Sequence, residues 1–216
     1  MPTRTLYGYY RSSAAYRTRI ALNLKGLSHE KHSIHLRKGD QFLADYAKLN
    51  PQRQVPTLID EDDSVLIQSP AILEYLEETC PEPPLLPQGA AARARVRAIA
   101  MAIGCDIHPL NNLRVLTYLR GNLELAEERV TDWIHNWIGL GFQAIEQMLS
   151  DSKATGDYCH GDTPTLADIY LAPQVYGAER FNCPLDAYPT IARVHANASK
   201  LAAFIDAYPD TQPDAE

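Results

Sequence analysis

The chain predicts two domains of different class, a small mixed α/β unit followed by an all-helical one. Three observations carry this. The first 80 residues alternate short strand-type and helix-type patterns. The run "CPEPPLLPQG" (Cys80–Gly89) then places four prolines in ten residues, and beyond it every periodic stretch is helical. The boundaries follow as 1–82 for the α/β unit, 83–90 for a proline-rich linker and 91–216 for the helical unit.

Leu6–Tyr10 reads as a short aromatic strand. Ser13–Lys25 carries Ile20, Ala21 and Leu24 at helical spacing, with Gly26 as its stop. Lys31–Leu36 reads as a strand and Gln41–Lys48 as a helix. Gln54–Asp60 and Ser64–Gln68 are strands joined across the acidic turn Asp60–Asp63. Ser69-Pro70, a cap followed by proline at the first helical position, starts a helix over Ala71–Thr79. In the second unit the helices expected are Ala91–Ile107, Asn111–Arg120, Glu124–Leu149, Leu166–Phe181 and Ile191–Ala207. The polar tail after Pro209 reads as frayed. Thr165 and Asp168 form a capping box that organises a buried helix start, so Asp168 is given no catalytic role.

Composition narrows the class. Of 216 residues, 45% are hydrophobic and 22% charged, ordinary for a folded globular chain. No apolar run reaches the ~18 residues of a membrane span. The segment "MPTRTLYGYY" lacks the apolar stretch of a secretory signal, so a cytoplasmic location is expected. A net charge of −7 argues against nucleic acid as a partner. Cys80, Cys105, Cys159 and Cys183 are widely spaced, without zinc-type spacing, and read as reduced, mostly buried thiols; no metal is expected. No GxGxxG, Walker loop or HExxH motif occurs.

Three local features carry chemistry. Val55-Pro56 has two readings: a cis peptide that leaves the valine backbone free to pair with a peptide-like ligand, or an edge-strand proline without a role. Ser69 is expected to cap its helix, leaving first-turn N–H groups and the positive dipole end available to a carboxylate. Ser12 and Ser13 stand at another helix start, where hydroxyls and backbone donors can stabilise a thiolate; the alternative is that one serine only caps the helix.

Together "YYRSSAAYRTRIALNLKG", "LNPQRQVPTLID", "IQSPAILEYLEE" and "CDIHPLNN" closely resemble the zeta class of glutathione transferases, over about Thr5 to Pro213. The resemblance implies a glutathione transferase fold, with a thioredoxin-like N-terminal domain, a helical-bundle C-terminal domain and a homodimer. It also implies a glutathione cofactor. Ser12 matches the thiolate-activating serine and Ser13 its neighbour. Gln41, Val55, Gln68 and Ser69 match positions that hold glutathione, with Val55 pairing its backbone before a cis Pro56. His108 and the run Asn112–Arg114 match contacts from the helical domain, with His108 as a donor or proton relay. Arg11, Arg114 and Arg180 are the cationic anchors for substrate carboxylates, whose two oxygens suit a guanidinium fork. Arg17 and Arg19 read as solvated or paired with acids of the bundle, an alternative that stays open for Arg11 as well. The family's Ser-Ser-Cys becomes Ser12-Ser13-Ala14 here, which removes any covalent role for that cysteine and leaves the thiolate to Ser12 and the helix terminus.

The implied activity is glutathione-dependent cis-trans isomerisation of an ene-dicarboxylate, turning maleylacetoacetate into fumarylacetoacetate in aromatic amino-acid catabolism. The alternatives are isomerisation of maleylpyruvate in gentisate-type degradation, conjugation or dehalogenation of small α-halo acids, and a non-catalytic transferase-like module. A substrate panel with and without glutathione separates them.

Overall fold

The computed structural model describes residues 3–216. The chain divides into two compact units, one of Met1–Leu85 together with Lys200–Glu216, the other of Leu86–Ser199. This differs from the sequence-based division at the C-terminus, where residues 200–216 join the α/β unit and not the helical one.

In the first unit the order is β1 (Arg4–Gly8), α1 (Ser13–Leu24), β2 (His29–Ser33), α2 (Ala44–Leu49), β3 (Thr57–Ile59), β4 (Val65–Ile67) and α3 (Ser69–Thr79). Among the described residues the strands form one sheet in the order β2-β1-β3-β4, with β1 parallel to β2 and the other pairs antiparallel. The β-α-β-α-β-β-α order is the one expected. Strand β1 starts and ends two residues earlier than the sequence suggested, its end set by Tyr9 and Tyr10 leaving the ladder to lead into α1, and β2 covers His29–Ser33 in place of Lys31–Leu36. Gln41 falls in a short 3-10 turn, Asp40–Phe42, ahead of α2. Helices α1 and α3 pack together on the sheet through Ile20, Ala21, Ile72, Leu73 and Leu76 with Leu58 beneath, all essentially inaccessible to solvent. Each of these leucine and isoleucine side chains contributes roughly 1.5–3 kcal/mol on burial.

Polar side chains inside this unit have specific work. Lys25, at the end of α1, donates through Nζ to Glu77 Oε2 (2.9 Å), Cys80 O (2.6 Å) and Pro83 O (3.1 Å). Glu77 Oε2 also accepts the Leu85 N–H at 2.9 Å. The proline-rich stretch is therefore tied down where it leaves α3, around a cis Glu82-Pro83 bond the sequence reading did not anticipate. Arg17 and Arg19 are buried, which removes the expectation that they are solvated. Arg19 donates to two backbone carbonyls, Tyr10 O and Ala207 O, each at 3.0 Å, and lies over the Tyr16 ring.

The helix expected over 191–207 is interrupted. Helix α8 (Pro189–Ala198) ends in the second unit, and a short α9 (Ala202–Ile205) packs on α1 in the first. The segment beyond it is bonded, not frayed: Pro209 and Gln212 are buried, and Gln212 Nε2 donates to Asp206 O and Tyr208 O. A purely polar tail carries no periodicity from which this docking could be read.

The second unit contains α4 (Ala90–Asp106), α5 (Leu113–Gly121), α6 (Glu127–Ser150), α7 (Leu166–Arg180) and α8. Its core is built where α4 meets α7 and where α6 meets α8, from Val96, Ile99, Ile103, Ile138, Phe142, Ile169 and Val194. The capping box at Thr165 and Asp168 is present. Of the cysteines, Cys159 and Cys183 are buried, Cys80 is half-buried and Cys105 is exposed. No described helix is long and apolar enough to cross a membrane.

Candidate functional site

Ser12 is the N-cap of α1, with extended backbone, and its Oγ accepts the Ala15 N–H at 3.2 Å. A hydroxyl that accepts through one lone pair still has its own proton to donate. The capping role and a ligand-facing role are thus compatible. Ser13 is the first helical residue, and both serines are half-buried. Arg11 stands with its guanidinium carbon 5.0 Å from the Tyr10 ring centroid. Burial, reinforced by Tyr10, pushes the Tyr9 phenol up to about 12, so it stays protonated at neutral pH.

Val55-Pro56 is cis. The β1–β3 register begins at Thr57, so the Val55 peptide groups lie outside the ladder. A buried polar network shapes this loop. Asn50 Nδ2 donates to Gln54 O (2.8 Å) and Thr57 Oγ1 (3.2 Å), and Tyr46 Oη donates to Gln54 O at 2.5 Å. Asn50 Oδ1 accepts the Gln52 N–H at 3.0 Å. Sequence reasoning missed Asn50 and Tyr46; an asparagine directly before Pro51 was the signal available, since its side chain can bond the backbone two residues on.

The start of α3 departs from expectation. Gln68, not Ser69, is the N-cap, with φ 70° and ψ 115°, and Ser69 is the first helical residue. Among the described residues no side chain caps this terminus. Gln68 is exposed and donates through Nε2 to Gln52 Oε1 at 2.6 Å, while Ser69 is buried. The Ser69 and Ala71 N–H groups therefore stand at an open helix start, where the partial positive charge favours an anion.

Packing joins these pieces. Tyr9, Tyr10, Tyr46 and Val55 form one buried cluster, with Leu36 against it. Gln41 is buried beside it, its Nε2 donating to Leu36 O at 3.2 Å while its Oε1 has no partner. The Ser12 approach, the cis-proline loop and Gln41 thus meet through one cluster, and the Gln52–Gln68 bond connects that loop to α3.

The remaining residues belong to the helical unit. His108 opens a 3-10 turn, His108–Asn111, between α4 and α5. Trp133 Nε1 donates to Leu110 O at 2.9 Å and anchors this turn to α6. Gly141 lets Ile107 sit close here: a Cβ on it would lie 2.2 Å from Ile107 Cδ1, so the Ile107 side chain would have to move. Asn112 is the N-cap of α5, its Oδ1 accepting the Arg114 N–H at 3.2 Å, and the Arg114 side chain is exposed. Arg180 is exposed in the last turn of α7, its guanidinium carbon 4.5 Å from the Phe181 ring centroid.

Known proteins share this architecture. Residues 11–79 match the family described as "Glutathione S-transferase, N-terminal domain". The chain is 47% identical to a probable maleylacetoacetate isomerase of Vibrio cholerae over 100% of both chains. A holo structure of maleyl pyruvate isomerase, described as a bacterial zeta-class glutathione transferase, superposes with a TM-score of 0.96 at 48% identity, over 98% of this chain and 100% of that one. Maleylacetoacetate isomerase from Methylobacterium extorquens AM1, solved with malonate and glutathione bound, gives a TM-score of 0.95 at 42% identity, over 98% of this chain and 99% of that one. Full-length identity of this order, on a thioredoxin-like unit joined to a helical one, means that the chain belongs to the zeta class of glutathione transferases, among the maleylacetoacetate and maleylpyruvate isomerases.

Proposed function

We propose that this chain is a glutathione-dependent cis-trans isomerase that converts maleylacetoacetate to fumarylacetoacetate in aromatic amino-acid catabolism. The observation that carries the reading is the set of open donors in the α/β unit: the Ser12 hydroxyl, the Val55 peptide and the uncapped start of α3. These fit glutathione. The extended tripeptide needs a backbone partner, which Val55 offers outside the ladder. Its γ-glutamyl carboxylate needs donors, which Ser69, the α3 terminus and Gln68 offer. Gln41, held by its bond to Leu36 O, is the remaining residue assigned to glutathione in this unit.

Glutathione, held by these residues, would supply a thiolate that adds to the cis double bond and, after rotation about the resulting single bond, is expelled as the C–S bond breaks and the double bond re-forms trans. Ser12 donates its hydroxyl proton toward the sulfur and holds it as the anion, aided by the α1 terminus. Ser13 flanks it. Arginines are the anchors for the two substrate carboxylates, with Arg11, Arg114 and Arg180 in that role, and a fixed cation also stabilises the enolate charge that develops on addition. His108 and Asn112 contribute from the helical unit as glutathione contacts. The reading includes a homodimer in the cytoplasm.

The test is turnover of maleylacetoacetate with and without glutathione, run beside maleylpyruvate and small α-halo acids. Glutathione-dependent turnover of maleylacetoacetate at the highest kcat/KM is expected. Maleylpyruvate is the second reading, favoured by the 48% identity to a maleylpyruvate isomerase, and a higher kcat/KM on it would replace the first. Absence of turnover on every substrate overturns both.

A further inference from the structure

Between the end of β1 at Gly8 and the first residue of α1 at Ser13, the chain leaves the sheet, yet both backbone groups of Tyr10 are paired. Its N–H donates to Asp214 Oδ2 at 3.0 Å, and its C=O accepts from Arg19 Nη2 at 3.0 Å. Arg19 is itself held by Ala207 O. Both bonds therefore depend on the C-terminal segment. That segment is laid down in a defined register along β2 and its extension. Lys31 donates to Gln212 Oε1 (2.9 Å), Ser33 to Asp214 Oδ2 (3.0 Å), and His35 Nε2 lies 2.6 Å from Glu216 Oε1. Residues two apart on the extended β2 side share a face, and the tail turns at 213–214, with the Ala215 N–H on Gln212 O at 3.0 Å, so that Asp214 is the tail residue that comes to Tyr10. Of the three side chains in this ladder, Asp214 reaches past β2 to the backbone that leads into Ser12.

We infer that Asp214 is a positioning residue for the thiol site: by fixing the Tyr10 peptide two residues ahead of Ser12, it aims the Ser12 hydroxyl. Ser12 follows directly, because its own N–H donates to Tyr9 O at 2.9 Å, so a shift of the Tyr9–Tyr10 peptides moves the cap with it. Small displacements of a catalytic donor cost large factors in rate. This rests on the reading of Ser12 given above.

The test compares Asp214→Ala, Asp214→Asn and Ser33→Ala in the full chain. The first two share the loss of charge and differ in whether an acceptor remains for Tyr10. Readouts are kcat, KM for glutathione, the pH dependence of thiolate absorbance in the glutathione complex, and deuterium exchange at the Tyr10 amide. Asp214→Ala is expected to lower kcat about 10-fold with KM for glutathione nearly unchanged, to shift the thiolate titration relative to Asp214→Asn, and to speed Tyr10 exchange. Asp214→Asn is expected to restore most of kcat, and Ser33→Ala to match the parent. Equal effects of the alanine and asparagine variants, or native turnover in Asp214→Ala, overturn the inference. Loss of a cooperative melt in Asp214→Ala assigns the residue to folding and overturns it too. Ser12→Ala is run alongside: native turnover there removes the reading of Ser12 itself, whereas a crippled Ser12→Ala beside a native-like Asp214→Ala overturns the Asp214 role alone.

Discussion

The starts of α3 and α7 look alike in sequence, each a hydroxyl residue ahead of an apolar helix, and the structure uses them in opposite ways. At α7 the donors are closed off. The Asp168 carboxylate accepts the Thr165 N–H at 2.8 Å, the Thr165 hydroxyl at 2.9 Å and, on its other oxygen, the Cys159 N–H at 2.8 Å. At α3 the chain turns through a left-handed Gln68, and no described side chain returns to the terminus. Backbone donors closed by their own chain build a fold; donors left open are free to bind something else. The α1 start lies between the two, since Ser12 accepts one N–H and keeps its proton to give.

Four substitutions sharpen this contrast. The largest effect is expected from Asp168→Ala, which strands the buried donors it now satisfies and should cost about 3 kcal/mol or more of stability by denaturant melt. Cys159, whose thiol burial pushes well up, with Asp168 adding to the rise, should then label faster with a thiol reagent in the native state. Next is Ser12→Ala, expected to lower kcat about 100-fold, with loss of the cap costing about 1 kcal/mol in the melt. Equal turnover in that variant would mean another group activates the thiol. Ser69→Ala should weaken glutathione binding about 10-fold by calorimetry, for a lost hydrogen bond to a charged group, with a melt unchanged to within ~0.5 kcal/mol because the side chain caps nothing. A destabilised Ser69→Ala with native affinity would reverse the contrast between α3 and α7. The smallest effect belongs to Gln68→Gly: relief of the left-handed backbone should offset the added chain entropy to within about 1 kcal/mol, while glutathione affinity falls.

Much of the first unit was legible. Alternating strand and helix patterns, Gly26, the Ser69-Pro70 pair and the proline cluster are local signals, and each marks a real element or break. Ser12, Ser13, Val55 and Ser69 stood out because helix starts and prolines have fixed backbone consequences. The Lys25 anchor, the Asn50–Tyr46 network and the buried arginines were not legible. A lysine looks solvated until it is known that Glu77, Cys80 and Pro83 converge on it. Arg19 likewise gave no sign of its carbonyl partner Ala207, 188 residues away.

Sequence alone determined the two classes of unit, the order of their elements and the helix starts that carry the proposed chemistry, because these follow from patterns within a few residues. Tertiary structure decided that residues 200–216 leave the helical unit and pack on the first, that Gln68 and not Ser69 turns the α3 start, and that Asp214 holds the peptide before Ser12. The reason is range: periodicity and capping are set by neighbours, whereas a hydrogen bond spanning 204 residues exists only after both ends have been brought together.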